Sequence, residues 1–214
     1  MDPEKERKLF YLRQLNVFAK KRQIVLAGSS LMEQFPVNEF IMGHDLSLAV
    51  YNRGVGGFLC EEMQEALEEC IFQLEPAYVF LNIGTNNLNS PECDNNVLIS
   101  LYEPLAKKIL LRLPNTDLIL MAYYPVNQDA ADTLQMRDTL AVRSNERILS
   151  ANKAIMEMAL RLGARYIDVN KRLYDAKRRL KKEYTVEGMH LNPAGYEAIF
   201  RELLPYLQEC KDKG

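Results

Sequence analysis

Short apolar runs rich in branched and aromatic residues alternate along this chain with longer stretches of helical period. Gln23–Gly28 (QIVLAG), Leu46–Asn52 (LSLAVYN), Tyr78–Ile83 (YVFLNI), Asp117–Tyr123 (DLILMAY) and Arg165–Val169 (RYIDV) predict five buried strands. The fourth is preceded by Pro114–Asn115–Thr116, a turn-forming tripeptide. Helices are predicted between them. Asp2 followed by Pro3 is a helix start, with Leu9, Leu12 and Ala19 recurring behind it. Leu59, Met63, Leu67, Cys70 and Ile71 share one helical face, while Glu61, Glu62, Glu65, Glu68 and Glu69 solvate the other. Ile148, Ala151, Ile155, Met158 and Leu162 form another stripe, stopped by Gly163. Asn192–Pro193 opens a last helix whose buried face is Tyr196, Ile199, Leu203 and Leu207.

Alternation of strands and helices implies parallel pairing, because each strand needs a crossover to return to the same end of the sheet. Right-handed crossovers then put helices on both faces. The expected fold class is therefore α/β, a three-layer α/β/α sandwich around a five-stranded parallel sheet. No repeat, low-complexity tract or linker interrupts the pattern, which predicts a single domain over 1–214 with residues 1–22 as an N-terminal helix packed on it. In such sheets the functional groups gather in the loops after the strands' carboxyl ends.

Composition narrows the field. The 214 residues carry 27 Lys+Arg against 29 Asp+Glu, a net charge of −2, so the basic excess that phosphate binding demands is missing and nucleic acid is not an expected partner. The longest apolar run, Leu118–Val126, is far shorter than the roughly 20 residues that span a bilayer, so no integral membrane segment is expected. The start, MDPEKERKLF, has no apolar core of a signal peptide. Cys60, Cys70, Cys93 and Cys210 show neither CxxC nor zinc spacing. They read as reduced thiols of a cytoplasmic protein, and no metal or organic cofactor is expected.

Four loops carry candidate chemistry. After strand one, Ala27–Gly28–Ser29–Ser30 offers a hydroxyl at a strand-to-helix turn, or simply a serine cap. After strand two, Asn52–Arg53–Gly54–Val55–Gly56–Gly57 leaves backbone N–H groups accessible, or is only a tight turn; it is not a phosphate loop, because the spacing is not GxGxxG and no Lys-Ser/Thr follows. After strand three, Gly84–Thr85–Asn86–Asn87 supplies an amide that can donate to a developing negative charge, or caps a turn. Near the end, Glu187–Gly188–Met189–His190 sets a carboxylate three residues before one of only two histidines, a spacing that lets the acid fold back onto the ring. The other histidine, His44, reads as a surface residue. HExxH is absent. Taken in order, the four loops supply a nucleophile, oxyanion donors and an oriented base, the set that acyl transfer requires.

This succession resembles the SGNH hydrolase superfamily, the GDSL-type esterases and lipases, and within it the bacterial acylhydrolases similar to platelet-activating-factor acetylhydrolase. The likeness runs from Ile24 to Leu207. The family's Gly-Asp-Ser block falls on Gly28–Ser29–Ser30, its glycine block on 52–57, its Gly-x-Asn-Asp block on Gly84–Asn87 and its Asp-x-x-His block on Glu187–His190; His190–Leu191–Asn192–Pro193–Ala194–Gly195–Tyr196 is also like the family's ending. The resemblance implies a flavodoxin-like sheet topology and a serine esterase cleaving a small acyl ester, acetyl or short-chain, of a small molecule or carbohydrate. It implies Ser30 as nucleophile, His190 as base, Glu187 as the third member, and the backbone N–H groups of Ser30 and Gly57 with the Asn86 amide as oxyanion hole. No cofactor is implied. Three positions depart from the pattern: Ser29 and Asn87 stand where the family has acids, and Glu187 stands where it has aspartate. The extra methylene displaces the carboxylate by about a bond length, and a ~1 Å misplacement can cost ~10²-fold.

Two rival readings use the same residues. One is a catalytically weakened binding protein for carbohydrate or lipid, motivated by Glu187 and Ser29. The other is a flavodoxin-like nucleotide binder, disfavoured by the missing phosphate loop. Two peripheral features stay open at this level. Lys171–Lys182 holds seven basic residues against Asp175, a solvated helix face or an attractor of anionic groups. Arg143–Ser144–Asn145–Glu146–Arg147 follows a polar connection after strand four and either borders the site or starts a helix.

Overall fold

The structure, a computed structural model, describes the backbone of residues 1–213 and the side chains of residues 1–210; Gly214, the last residue of the expected domain, lies outside the described residues. Five strands, β1 (Ile24–Gly28), β2 (Val50–Gly54), β3 (Tyr78–Asn82), β4 (Asp117–Met121) and β5 (Arg165–Ile167), form one sheet in the order β2-β1-β3-β4-β5, every pair parallel. The α/β sandwich is thus the observed architecture. The strand order reverses between β1 and β3, which makes a crevice at their carboxyl ends.

The pleat sorts the core. Val25, Ala27, Val79, Leu81, Leu118 and Leu120 point to one face, against α4 (Cys60–Glu65), α5 (Leu67–Cys70), α6 (Asn95–Arg112) and α8 (Asn145–Leu162). Ile24, Leu26, Tyr78, Phe80, Ile119 and Met121 point to the other, against α2 (Ser30–Glu33), α3 (Val37–Gly43) and α9 (Pro193–Lys213). Two further helices lie at the rim, α1 (Pro3–Asn16) and α7 (Leu134–Val142). Helix ends follow local chemistry. Asp2 Oδ1 accepts the Glu4 N–H at 2.8 Å, Ser144 Oγ accepts the Arg147 N–H at 3.3 Å, and α8 stops before Gly163.

Five expectations need correction. The N-terminal helix spans Pro3–Asn16 and not 1–22, because the chain turns after Asn16, where the Phe18 and Ala19 N–H groups donate to the Leu15 and Asn16 carbonyls. The second strand is not Leu46–Asn52 but Val50–Gly54, because pairing starts only where β1 supplies a partner (Ile24 opposite Val50), while the Leu46 N–H is taken by Ile41 at the end of α3. The acidic helix over 59–71 is two pieces divided at Ala66, although Met63, Leu67, Cys70 and Ile71 are buried as expected. Within it Glu69 is not solvated: it is buried, accepting hydrogen bonds from Arg13 of α1. The basic run 171–182 is no helix face. A short 3-10 turn (Lys171–Leu173) leads into an antiparallel bridge between Tyr174 and Leu180, and Arg172 and Arg179 are paired with Glu202, Asp175 and Asp129. The 18-residue α6, with Asp94 Oδ1 accepting from the Val97 N–H at 2.9 Å, was not evident from the sequence. Leu98, Tyr102, Leu105, Ala106 and Ile109 form its buried stripe, but Pro104, on its exposed side, is a residue that argues against a helix in the sequence.

Candidate active site

β1 runs directly into α2, and the turn requires glycine: a Cβ at Gly28 would lie 2.1 Å from the Asn82 carbonyl oxygen of β3. Ser30 therefore opens α2 at the crevice, half-buried. Helix α9 fixes α2 from behind, where the buried Tyr196 hydroxyl donates to the Leu31 carbonyl at 3.0 Å and its ring stacks on Phe35 at 5.2 Å.

The residues just before α9 form a closed loop. Thr185 and Leu191 make an antiparallel bridge, the Val186 N–H donates to the His190 carbonyl at 3.0 Å, and the Thr185 hydroxyl donates to that same carbonyl at 2.8 Å. The Gly188 N–H donates back to Thr185 Oγ1 at 2.8 Å, and the Asn127 N–H donates to the Gly188 carbonyl at 2.8 Å. The loop holds His190 with Nε2 at 3.0 Å from Ser30 Oγ, 160 residues away in sequence. On the far side of the ring, Nδ1 lies 2.6 Å from Glu187 Oε1, which also accepts the His190 backbone N–H at 3.1 Å. Burial alone would push the Glu187 carboxyl up, but the hydrogen bonds and charge of His190 carry it below its ordinary value.

The glycine loop after β2 is held from two sides. The Gly56 N–H donates to Glu33 Oε2 at 2.9 Å, one turn beyond Ser30, and Glu33 is paired with Lys8 of α1 at 2.9 Å. Gly57, at φ +73°, directs its carbonyl to Lys5 Nζ at 3.1 Å, and Lys5 is itself paired with Glu62. The Gly56 N–H is thus occupied, whereas no acceptor among the described residues takes the N–H of Gly57 or of Ser30. After β3, Asn86 Nδ2 donates to the Phe58 carbonyl at 3.1 Å, which joins the third loop to the second. Asn87 is buried and caps α4, accepting the Cys60 N–H at 3.1 Å and donating to Glu61 at 2.9 Å. An amide serves there as an acid would in accepting, and gains a bond to a carboxylate that an acid would repel.

All five residues singled out by the sequence lie on the loops that meet at the crevice. An alcohol in contact with an imidazole, a carboxylate behind that imidazole, and undonated N–H groups nearby together can carry out acyl transfer. Sequence reasoning did not find the supporting set: Glu33 on Gly56, Lys5 on Gly57, Thr185 and Asn127 on the histidine loop, and the buried Arg143, whose Nη2 donates to Asn86 Oδ1 at 2.8 Å. Only Arg143 left a trace, through its place after strand four. His44 is a surface residue, as expected, 3.9 Å from Glu197. A cleft of about 640 Å³ opens between α1 and the glycine loop, walled by Lys5, Lys8, Tyr11, Glu33 and Gly57 but not by Ser30 or His190. Among the described residues no group of three or more His, Cys, Asp or Glu is placed to hold a metal ion, none of the four cysteines forms a disulfide, and no helix is long and apolar enough to cross a membrane.

Residues 36–198 match the model of the GDSL-like lipase/acylhydrolase family. The chain belongs to this family. The matched stretch takes in the glycine, asparagine and histidine loops of this GDSL-like hydrolase, and Ser30 lies just ahead of it. No curated protein sequence matches the chain. Among solved structures, a Streptococcus pneumoniae protein provisionally described as a platelet activating factor is 29% identical, with TM-score 0.83 over 95% of this chain and 92% of its own. A GDSL-like lipase from Bacteroides thetaiotaomicron superposes at TM-score 0.75 with 18% identity, covering 94% of this chain and 97% of its own. A single-substitution mutant of an acetyl-xylooligosaccharide esterase from Geobacillus does so at TM-score 0.66 with 14% identity, covering 88% and 95%. These last two likenesses concern the fold.

Proposed function

We propose that this GDSL-like hydrolase is a serine esterase that cleaves a small acyl ester, acetyl or short-chain, through a Ser30–His190–Glu187 triad and an acyl-enzyme. The observation that carries the proposal is the continuous line of hydrogen bonds from Ser30 Oγ to His190 Nε2 at 3.0 Å and from His190 Nδ1 to Glu187 at 2.6 Å. The Ser30 hydroxyl donates to Nε2, and His190 takes that proton as Oγ attacks the ester carbonyl carbon. The carbonyl oxygen becomes an oxyanion, held by the N–H groups of Ser30 and Gly57 and by Asn86 Nδ2–H. His190 then gives its proton to the leaving alkoxide; water, deprotonated by the same nitrogen, attacks the acyl carbon, and Ser30 Oγ leaves with that proton as the acid is released. Glu187 keeps the proton on Nδ1 in the resting ring and stabilises the imidazolium in between. Its longer arm suits the role, because Oε1 reaches both the ring and the backbone N–H of His190.

An acetyl or short acyl group on a small molecule or carbohydrate fits the half-buried position of Ser30 and His190, and one similar structure is named as an acetyl-xylooligosaccharide esterase. The chain is a single domain that works in a reducing, cytoplasmic compartment, a setting that suits four cysteines outside any disulfide. The decisive experiment is hydrolysis of p-nitrophenyl acetate by the protein and by Ser30→Ala, alongside labelling with a fluorophosphonate. The expected result is labelling and turnover that both vanish in the variant; turnover retained by Ser30→Ala overturns the proposal.

A further inference from the structure

Arg143, at the end of α7, is 2% exposed, yet none of its described partners is a carboxylate. Its Nε donates to Asn89 Oδ1 at 2.8 Å, its Nη2 to Asn86 Oδ1 at 2.8 Å, and its Nη1 points at the sulfur of Met189, the neighbour of His190. Burying a guanidinium that no carboxylate hydrogen-bonds is unfavourable, and burial, only partly offset by the nearby Glu187 charge, pushes its pKa down to about 10, which still leaves it charged at neutral pH. Arg53, also buried without a carboxylate partner, is spent on Asn16 of α1 and the Asn52 carbonyl. Arg143 is directed instead at the oxygen of the single side chain placed to meet an oxyanion.

An asparagine amide can be turned either way, and only one way presents N–H to the crevice. A cation at Oδ1 forbids the other orientation, since a flipped amide would set its own NH2 against the guanidinium. The Asn86 Nδ2 then has one hydrogen on the Phe58 carbonyl and the other without a described acceptor. A positive charge at the far end of the amide also polarises it, which makes that second hydrogen a stronger donor to developing negative charge. The same guanidinium touches the loop that carries His190, so it joins the oxyanion side of the crevice to the base side.

We propose that Arg143 is a positioning residue of the oxyanion hole, locking the Asn86 amide with Nδ2 toward the oxyanion and strengthening its hydrogen bond as charge develops. The inference rests on the serine-esterase reading, and it predicts coupling rather than mere instability. In p-nitrophenyl acetate hydrolysis, Arg143→Gln lowers kcat by about 10-fold or more with KM nearly unchanged, while Arg143→Lys, which keeps the charge but not the fork, recovers part of the loss. Added to Asn86→Ala, the same Arg143→Gln change costs no more than about twofold, because the group it acts through is gone. Thermal melts of every variant separate folded fraction from turnover. A structural tie alone would lower the melting temperature and reduce kcat by the same factor with or without Asn86, and either that additivity or an unchanged kcat in folded Arg143→Gln overturns the proposal. If Arg143→Gln does not fold, the Arg143→Lys and Asn86→Ala cycle is decisive by the same criterion. Ser30→Ala is run in parallel: retained turnover there defeats the esterase reading, whereas losses at Ser30 and Asn86 with none at Arg143 defeat this inference alone.

Discussion

Glu187 Oε1 accepts two hydrogen bonds from His190, one from ring Nδ1 at 2.6 Å and one from the backbone N–H at 3.1 Å. One carboxylate oxygen therefore fixes both the tautomer of the ring and the turn of the loop that carries it. A glutamate can do this at a spacing of three residues because the loop is folded back on itself by the Thr185 hydroxyl, so that the added methylene is taken up by the turn.

The consequences for Glu187→Gln are two. Turnover of p-nitrophenyl acetate falls by about 10²–10⁴-fold, less than for His190→Ala, because the amide can still contact the ring but favours the wrong tautomer. Stability changes with a definite sign. The folded carboxyl titrates below its ordinary value of about 4.3, so its contribution is fully present above that pH and is lost as the pH falls through the folded pKa. Thermal melts should therefore separate the variant from the parent at pH 7 and bring the two together in acid. A gap that widens in acid would contradict the pairing.

Asn86→Ala removes the only side-chain donor assigned to the oxyanion. Loss of such a donor costs ~10²–10³ in kcat with KM little changed, and the melting temperature falls as well, because the Phe58 carbonyl and the buried Arg143 each lose a partner. Steady-state kinetics on the folded variant measures it, and a loss confined to KM would assign Asn86 to substrate binding instead.

Gly28→Ala would force a methyl to within 2.1 Å of the Asn82 carbonyl oxygen and 2.8 Å of Met32 Cγ. Backbone of β3 cannot yield without disturbing the sheet, so β1 and the Ser30 turn must move. Urea unfolding should show a loss of at least ~2 kcal/mol, and turnover per folded molecule should fall as well. A variant with unaltered midpoint and rate would mean that the turn has room that the structure does not show.

Tyr196→Phe tests the hold of α9 on α2. The change deletes a buried donor and leaves the Leu31 carbonyl unpaired, at a cost of about 1–3 kcal/mol in denaturant unfolding. Because the Ser30 turn loses its brace, kcat should drop several-fold at the same time, and equal kcat at equal folded concentration would confine Tyr196 to a packing role.

The alternation of strand and helix and the four loops of unusual composition were legible along the chain, because each depends on spacing between neighbours. Thus Tyr196, Ile199, Leu203 and Leu207 could be assigned to one buried face without coordinates. The position of β2 was not legible, since LSLAVYN is a good strand by itself and only the partner, with Ile24 opposite Val50 and Gly28 opposite Gly54, decides where pairing begins. Glu69 read as a solvent-facing charge, and Arg143 as bordering the site or starting a helix, because nothing local marks burial; Arg13, Asn86 and Asn89, which receive them, come from 54 to 57 positions away. Nor does the chain by itself state that Ser30 and His190 touch across 160 positions. That contact is set by the order in which strands add to the sheet and by how α9 packs on α2, both of which are outcomes of burying two cores at once rather than of any local preference.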